Sequence, residues 1–331
     1  MLALNVVEWV ERDFRHHMPS SKGTAMDTPR NRPLKVGLLT PTWEDRAEGT
    51  VMRWKDVRER VLRAEALGFD SMWLVDHFLW RNPPEETFGF WDGWSMLSAL
   101  ADATSRVELG LLVACTSYRH PTIIAKIADT IDEISDGRLT LGIGAGWTET
   151  EFRALGAPYD HRASRFEEAL TIIATLLREG EIDFEGNYYQ AKEVELRPRG
   201  PRPQGPPIMV GATRDRMIQL AARHADNLNR DFGSISRADL KSWQARTDAA
   251  CAAVGRDPAT LERTVAVAID LPNAQLRAPR EALTGSPEEL AKSLRAIAAD
   301  GMTHVQVWLE PNTLAGIEAF APTLELLDSN G

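Results

Sequence analysis

Two ionisable residues follow a short apolar run in the first quarter of the sequence. Asp76 and His77 come directly after residues 71–75, whose composition predicts a buried strand. Histidine is suited to proton transfer near neutral pH, so His77 could exchange a proton with a reacting ligand. We take His77 and its neighbour Asp76 as candidate catalytic residues. The alternative for His77 is an ordinary polar residue at the start of a loop.

Other apolar runs are followed by residues of a similar kind. Aromatic, amide and small side chains predominate among them: Thr40, Trp43, Trp80, Thr116, Tyr118, Gly144, Ala145, Gly146, Trp147, Gly211, Ala212, Thr213, Asn227, Asn229, Trp308 and Glu310. The set shows neither a Ser-His-Asp triad nor the His-x-x-x-His pair of zinc enzymes. It therefore suits a flat conjugated ligand better than a metal. Trp43, Trp80 and Trp308 are the candidate walls of a substrate pocket.

Several of these residues also have purely structural interpretations. The glycines permit tight turns, yet backbone amides at a helix start also favour phosphate, and residues 211–213 precede a predicted helix. Arg214 and Arg216 are predicted to be solvated charges. The aromatic cluster in residues 80–94 is compatible with loop packing and with a substrate lid. Cys115 is predicted to be a packing residue, because no basic partner that would activate its thiol is evident.

A strand–helix–strand unit at residues 107–147 is the element that must position much of this set. Residues 107–113 and 139–145 are apolar on both faces, as expected of strands in a parallel sheet. Five isoleucines between them predict one face of a helix: Ile123, Ile124, Ile127, Ile131 and Ile134. Ligands bind at the carboxyl ends of such strands.

The same alternation continues along the chain from Leu34. Strands are predicted at residues 36–39, 71–75, 107–113, 139–145, 208–211, 225–229, 264–271 and 303–309, with helices between them and a small hairpin at 182–190. This pattern favours a (β/α)8 barrel with insertions, one domain over residues 34–331. A doubly wound open sheet is the alternative, but no Gly-x-Gly-x-x-Gly follows the first strand. Residues 1–33 are predicted to be a loosely ordered extension.

Bulk properties exclude several classes of protein. The net charge of −10 argues against a nucleic-acid partner, since phosphate binding needs a basic surface. No apolar run approaches the roughly 20 residues that span a bilayer, so no membrane association is expected. Two cysteines, Cys115 and Cys251, cannot make a disulfide framework, which favours the reducing cytoplasm.

At the residues after the strands, the chain resembles the bacterial luciferase-like family of flavin- and deazaflavin-dependent oxidoreductases. The similarity extends from Leu34 to near the C-terminus. Its motifs are short singly and specific in this order: Ala66-Leu67-Gly68-Phe69-Asp70 followed by Asp76-His77-Phe78; Thr116-Ser117-Tyr118-Arg119-His120-Pro121; Ser135-Asp136-Gly137-Arg138-Leu139; residues 142–147; Phe184-Glu185-Gly186; and Pro207-Ile208-Met209-Val210-Gly211 with Ala225-Asp226. The resemblance implies a luciferase-like TIM barrel that binds FMN or the deazaflavin coenzyme F420.

The resemblance also implies roles for individual residues. Residues 118–121 and 144–147 are similar to the subgroup that uses F420, so F420 is the expected cofactor and FMN the alternative. Family members often carry a non-prolyl cis peptide after the third strand, which corresponds here to Leu112 and Val113. His77 would lie beside the cofactor ring. The implied cofactor-binding residues are Thr40, Leu112, Val113, Ala114, Thr116, Gly144, Ala145, Gly146, Trp147, Gly211, Ala212 and Thr213.

One residue departs from the family pattern. In the sugar-phosphate dehydrogenases of the family a glutamate follows the glycines after the fourth strand, and Trp147 stands there in this chain. Sugar-phosphate oxidation is therefore not expected, and the pocket is predicted to be apolar. Glu149 or Glu151 could replace the missing acid, although each also fits as an acidic residue in the first turn of a helix.

The sequence thus predicts a cytoplasmic oxidoreductase that transfers a hydride between F420 and a small, apolar or aromatic organic substrate. One rival is an FMN-dependent two-component monooxygenase, which uses O2 and reduced flavin supplied by a separate reductase. Another is a non-catalytic flavin-binding protein. The resemblance also implies a homodimer.

Overall fold

The computed structural model describes residues 31–45, 50–81, 87–230, 236–272, 274 and 281–329. Residues 1–30, most of the predicted N-terminal extension, lie outside the described residues. Arg32, just before the first strand, is tied to the rest of the chain by its guanidinium group. This group lies 3.1 Å from Asp70 Oδ2 and 2.7 Å from Asp328 Oδ1.

Eight parallel strands close into a barrel. They are β1 (Lys35–Leu39), β2 (Ser71–Leu74), β3 (Glu108–Leu111), β4 (Leu139–Gly144), β5 (Ile208–Gly211), β6 (Asn227–Arg230), β7 (Glu262–Asp270) and β8 (His304–Glu310). Each strand pairs with the next in sequence, and β8 pairs with β1 through Lys35 and His304. The ring of pairings confirms the predicted (β/α)8 barrel and excludes the open sheet, which would leave two edges.

Helices follow the strands around the barrel. They are α1 (Trp54–Leu67), α2 (Gly93–Ala103), α3 (Pro121–Ile134), α4 (Glu149–Leu155), α5 (Arg162–Glu179), α6 (Asp215–His224), α7 (Arg237–Ala253), α8 (Pro287–Ala299) and α9 (Leu314–Ser329). The spacing of Val57, Val61, Ala64 and Leu67, with Gly68 after them, predicts a helix near residues 54–67. Helix α1 has these bounds and ends at Gly68, whose φ of 101° is the left-handed cap that glycine favours. No helix in the described part of the chain is long and apolar enough to cross a membrane.

The isoleucine stripe on α3 is narrower than predicted. Ile124 and Ile131 are buried, whereas Ile123 and Ile134 are 52% and 44% exposed. Successive helical residues are rotated by about 100°, so these two lie at the margins of the stripe and alanines complete its buried centre. The buried positions between the two isoleucines include Ala125 and Ala128.

Insertions at the strand ends differ most from the predicted elements. Strand β3 ends at Leu111, and residues 114–115 form a separate short strand that pairs with β4. Two antiparallel hairpins lie in loops, Leu79–Arg81 with Thr87–Gly89 and Glu44–Asp45 with Thr50–Val51. The predicted hairpin near residues 182–190 is confirmed as Glu181–Glu185 paired with Gln190–Glu195. Strand Ala282–Thr284 extends the sheet beside β7, where the sequence predicted only a loop.

Trp73 on β2 fills part of the barrel interior. Its indole lies between the backbones of β1 and β3, where a Cβ added to Gly37 or Gly110 would come within 2.6 Å or 2.3 Å of the ring. The indole Nε1 donates to Ser71 Oγ at 2.7 Å, and Ser71 Oγ lies 2.7 Å from Nε2 of His304 on β8. The tryptophan is therefore fixed both by packing and by a buried hydrogen-bond chain.

His304 makes the stability of the barrel depend on pH. Burial, with a smaller contribution from the Lys35 ammonium, lowers the pKa of His304 to about 3. The unfolded chain takes up a proton near pH 6.5, and the folded chain does not until far lower pH. Stability is therefore lost as pH falls below about 6.5, and this group alone should remove about 2 kcal/mol by pH 5.

Urea unfolding at several pH values measures this effect. We expect the loss of unfolding free energy between pH 7 and 5 to be smaller by about 2 kcal/mol in His304→Gln than in the wild type. The glutamine side chain can still hydrogen-bond to Ser71. Equal losses in the two proteins would contradict the buried neutral state of His304.

Candidate active site

His77 lies in the turn that follows β2 and is held there by Glu151. Its Nδ1 is 2.9 Å from Glu151 Oε2, although the two residues are 74 positions apart in the chain. The imidazole is 19% exposed, whereas the Glu151 side chain is fully buried. The ring is thus anchored on its inner edge and accessible elsewhere.

Glu151 receives hydrogen bonds on both of its oxygens. Oε2 also accepts from Tyr118 Oη at 2.8 Å, and Oε1 accepts from the backbone amides of Phe78 and Leu79. Burial alone would raise the pKa of Glu151, but the hydrogen bonds from His77, Phe78 and Tyr118 outweigh it and hold the pKa below its usual value. Burial above all raises the pKa of Tyr118, so the phenol keeps the proton that it donates.

These bonds show that the two glutamates considered as replacements for the missing acid have different surroundings. Glu149 is exposed in the first turn of α4. Glu151, in the same turn, faces the protein interior and supports His77. The sequence had no means of separating them, because both positions look like the acidic first turn of a helix. Helix α4 itself was not predicted, since its seven residues are too few for a clear period.

Asp76 is paired with Arg119 rather than with His77. Its two oxygens each lie 3.0 Å from Arg119 Nη1, and Oδ2 accepts from the amide of Cys115 at 3.2 Å. Burial raises the pKa of Asp76, and the Arg119 guanidinium opposes this shift. Arg119 Nη2 also donates to Oδ1 of Asp92, the N-cap of α2, at 2.8 Å. These contacts give Asp76 the geometry of a residue that positions the His77 turn.

Aromatic side chains surround the imidazole at the carboxyl ends of the strands. We call this group the aromatic rim: Trp43, Trp80, Phe88, Phe90, Trp147 and Trp308. The His77 ring centroid lies 5.5 Å from Trp80, 5.3 Å from Phe90 and 6.0 Å from Trp147. Trp43 stacks on Trp308 with a centroid distance of 5.0 Å and an interplanar angle of 7°. The three predicted pocket tryptophans therefore belong to one contiguous group with His77.

Val113 occupies the space beside two of the predicted cofactor-binding glycines. The peptide bond between Leu112 and Val113 is cis, as the resemblance implied. A Cβ at Gly144 would come within 2.8 Å of Val113 Cγ2, and one at Gly211 within 3.1 Å of the same atom. These glycines make room for Val113, a packing reason that the sequence did not reveal.

The other predicted cofactor-binding residues fall into two groups. Ala114, Thr116, Ala145 and Gly146 lie around the end of β4; Thr116 Oγ1 donates to the carbonyl of Gly144 at 3.4 Å, and Gly146 has a φ of 73°. Ala212 and Thr213 lie before α6. The carbonyl of Ala212 accepts from Trp243 Nε1 and that of Thr213 from Arg246, so neither carbonyl is free. Arg216 bonds to Ser164 and Glu167, consistent with the predicted surface charge.

Buried hydroxyl groups without partners test whether this end of the barrel fits a flavin-type ring. Thr40 and Thr42, after β1, are fully buried, and Thr148, before α4, is 8% exposed. Their hydroxyl oxygens have no hydrogen-bond partner among the described residues. Because unsatisfied buried hydroxyls are unfavourable, they point to a ligand with polar groups on its edge. A ring with carbonyl and N–H groups between apolar faces meets that requirement.

Charged residues that the sequence did not single out end two further strands. Arg230 ends β6 and Asp270 ends β7. Arg230 Nη1 and Asp270 Oδ1 are buried and have no partner in the described part of the chain. Their positions at the ends of strands were the sequence feature that could have identified them as candidate site residues. Within the described ranges, no group of three or more histidine, cysteine or acidic side chains could hold a metal ion.

Cys115, beside this site, is not a nucleophile. Burial, together with the nearby Asp76 and Glu151 carboxylates, raises the pKa of its thiol to about 12. A thiol with this pKa is protonated at neutral pH and therefore unreactive. Both cysteines are free and buried, in agreement with the packing role predicted for Cys115.

Comparisons with known proteins agree with this geometry. Residues 34–272 match the model of a family described as luciferase-like monooxygenase. An F420-dependent glucose-6-phosphate dehydrogenase of Amycolatopsis mediterranei is 29% identical over 218 residues, 64% of this chain and 61% of that protein. The pyrimidine monooxygenase RutA of Cronobacter sakazakii is 28% identical over 263 residues, 72% of this chain and 76% of that protein. The chain spans less than two thirds of the length of the F420-dependent dehydrogenases that it matches.

A solved structure provides the comparison of folds. An F420-dependent secondary alcohol dehydrogenase, solved in complex with an F420-acetone adduct, superposes with a TM-score of 0.76 at 19% identity. The match covers 89% of this chain and 99% of that one. At this level of identity the likeness establishes the fold.

Proposed function

Because this chain belongs to the luciferase-like monooxygenase family, we propose that it is an oxidoreductase that moves a hydride between coenzyme F420 and a small apolar or aromatic substrate. The observation that carries the proposal is the anchored imidazole of His77 within the aromatic rim. A proton-exchanging group beside apolar walls is what a reaction at a hydroxyl or carbonyl of an apolar molecule requires.

The residues at this end of the barrel have two proposed roles, to hold the cofactor and to serve the reaction. Val113, Thr40 and the other buried threonine hydroxyls would hold the ring of the cofactor, and exposed Thr213 and Arg214 at the start of α6 offer backbone amides to its phosphate. A bound deazaflavin supplies a carbon that accepts or returns a hydride. His77 exchanges the accompanying proton, and the aromatic rim keeps water from the reacting atoms.

The choice of substrate class follows from Trp147. This side chain is 60% exposed and in contact with His77 and Trp80, at the position where the sugar-phosphate dehydrogenases carry a glutamate. An indole at this point adds apolar surface and removes a hydrogen-bond acceptor for sugar hydroxyls. We therefore propose a secondary alcohol, or the corresponding ketone, with an apolar or aromatic substituent.

Loss of F420 absorbance on reduction measures this activity directly. Purified protein would be incubated with F420 and either 1-phenylethanol, cyclohexanol or glucose 6-phosphate. We expect turnover of the apolar alcohols and none of the sugar phosphate. Turnover of glucose 6-phosphate with no reaction of the alcohols would contradict the proposed substrate class.

Trp43 should contribute mainly to substrate binding. It stacks on Trp308, and its ring centroid lies 5.5 Å from that of Phe90. Among the described ring contacts of the rim, those of Trp43 do not include His77, so it forms a wall of the rim. We expect Trp43→Ala to raise KM for an aromatic alcohol about tenfold, the effect of about 1.4 kcal/mol of lost contact, with kcat within about threefold. Steady-state kinetics separates the two constants. A tenfold fall in kcat at constant KM would show that the stack serves the reaction rather than binding.

A monooxygenase is the second candidate. The observation in its favour is the match to the pyrimidine monooxygenase, which covers more of this chain and of the relative than the match to the glucose-6-phosphate dehydrogenase does. In that case a separate reductase would supply reduced FMN, and O2 would be consumed. Oxygen uptake with reduced FMN that requires an aromatic or heterocyclic substrate would favour this candidate.

A further inference from the structure

We propose that Glu151 is a positioning residue that fixes the tautomer of His77, so that the neutral imidazole carries its proton on Nδ1 and presents the lone pair of Nε2 to the substrate hydroxyl. The proposal rests on the proposed function for the identity of the proton donor. The tautomer itself is a property of the protein alone.

The hydrogen bonds around Glu151 place the proton of the neutral His77 imidazole on Nδ1. Oε2 accepts a hydrogen bond from the phenol of Tyr118 and lies 2.9 Å from His77 Nδ1. Oε1 accepts hydrogen bonds from the backbone amides of Phe78 and Leu79. A carboxylate surrounded by donors is ionised and can only accept, in agreement with its lowered pKa. Nδ1 must therefore be the donor, and a neutral imidazole with a proton on Nδ1 has none on Nε2.

Nε2 lies on the opposite edge of the ring from Glu151. In the described part of the chain, the only hydrogen bond of this side chain is the one through Nδ1. The rings next to the imidazole are Trp80, Phe90 and Trp147, with centroid distances of 5.5, 5.3 and 6.0 Å, and none of them is hydrogen-bonded to His77 in the described part of the chain. The Nε2 lone pair is thus left for a ligand.

This tautomer suits the oxidation of an alcohol. With oxidised F420 bound, the hydride of the carbinol carbon would pass to the cofactor as the C–H bond breaks, and the hydroxyl proton would pass to Nε2. The products would be a ketone, reduced F420 and an imidazolium whose Nδ1 proton stays on Nδ1, hydrogen-bonded to Glu151. The reverse reaction returns the Nε2 proton to the carbonyl oxygen. The opposite tautomer, with its proton on Nε2, could not accept the proton.

Glutamine at position 151 should invert the tautomer at nearly constant shape. The backbone amides of Phe78 and Leu79 need an acceptor, so the glutamine oxygen takes the place of Oε1. Its NH2 group then replaces Oε2 and donates to Nδ1, which moves the imidazole proton to Nε2. We expect Glu151→Gln to lower kcat for alcohol oxidation by about 10²–10³-fold with KM within about threefold.

Nitrogen NMR of the histidines tests the proposal without cofactor. Protein labelled with 15N-histidine would be studied at about pH 8.5, where an ordinary imidazole is neutral, and the His77 signals would be assigned from their loss in His77→Gln. We expect a protonated Nδ1 in the wild type and a protonated Nε2 in Glu151→Gln. Glu149→Gln, the same change on the exposed side of α4, is the matched control and should resemble the wild type.

A wild-type imidazole protonated only on Nε2, or a tautomer that is the same in Glu151→Gln, would overturn the proposal. The wild-type spectrum decides the first point even if the variant does not fold. Different results would refute the role of Glu151 and the proposed function. An Nδ1 proton that moves in Glu151→Gln, together with no binding of F420, would retain the role of Glu151 and refute the proposed function.

Discussion

Replacement of His77 by glutamine is expected to lower kcat by about 10²–10⁴-fold, the usual contribution of a positioned proton-transfer group. The cofactor dissociation constant should change less than about threefold, because the variant leaves Val113 and the buried threonines, which we propose hold the cofactor ring, unchanged. Glutamine can still hydrogen-bond to Glu151, so folding should survive and the loss should be confined to the reaction. Steady-state turnover with F420 and an apolar alcohol, beside a fluorescence titration of F420, measures both quantities.

His161→Gln is the matched control for this variant. Its side chain is 65% exposed, and its Nε2 lies 3.8 Å from Asp160 Oδ2, so the change should leave kcat and cofactor affinity as in the wild type. An unchanged kcat in His77→Gln with intact F420 binding would contradict the account. That result would favour the non-catalytic flavin-binding protein over either enzyme.

Replacement of Arg119 by methionine is expected to lower the free energy of unfolding by about 3 kcal/mol. Asp76 is 6% exposed, and Arg119 supplies the cation that bridges both of its oxygens. Removing the guanidinium leaves a buried carboxylate whose remaining donor, among the residues that the structure describes, is the backbone amide of Cys115. Asp76→Asn should lower the free energy of unfolding less, by about 1 kcal/mol, because Arg119 is partly exposed and remains paired with Asp92.

A double-mutant cycle measured by urea unfolding separates the energy of the Asp76–Arg119 pair from the separate effects of the two substitutions. The double variant Asp76→Asn/Arg119→Met should be more stable than Arg119→Met alone, since it no longer buries an unpaired charge. Asp76→Asn should also keep more of its kcat than His77→Gln does. A stable Asp76→Asn protein whose kcat falls as far as that of His77→Gln would assign Asp76 to the proton transfer itself.

Elements with a strong local period could be predicted from the sequence. The stripe Val57, Val61 and Ala64 and the following Gly68 defined α1 to the residue, because burial and the left-handed cap are encoded within one helix. The apolar runs placed all eight barrel strands to within a few residues. The residues after them were predicted to meet at one end of the barrel, and they do, since the carboxyl ends of parallel strands lie at one face.

Contacts between distant segments could not be predicted. The bond between His77 and Glu151 joins the turn after β2 to a helix of seven residues, and the packing of Val113 against Gly211 joins the segment after β3 to β5. Neither leaves a local pattern, because each depends on how the closed barrel brings the strand ends together. The pairing of Asp76 with Arg119 is of the same kind. Adjacent residues of the sequence, Asp76 and His77, thus have different partners.

The measurement that tests the account most directly is a titration of the purified protein with F420 and, separately, with FMN, followed by tryptophan fluorescence. The chain has ten tryptophans, and four of them belong to the aromatic rim. We expect quenching with a micromolar dissociation constant for F420 and binding of FMN at least about tenfold weaker, a difference of about 1.4 kcal/mol. Tighter binding of FMN, or no binding of either cofactor, would contradict this expectation.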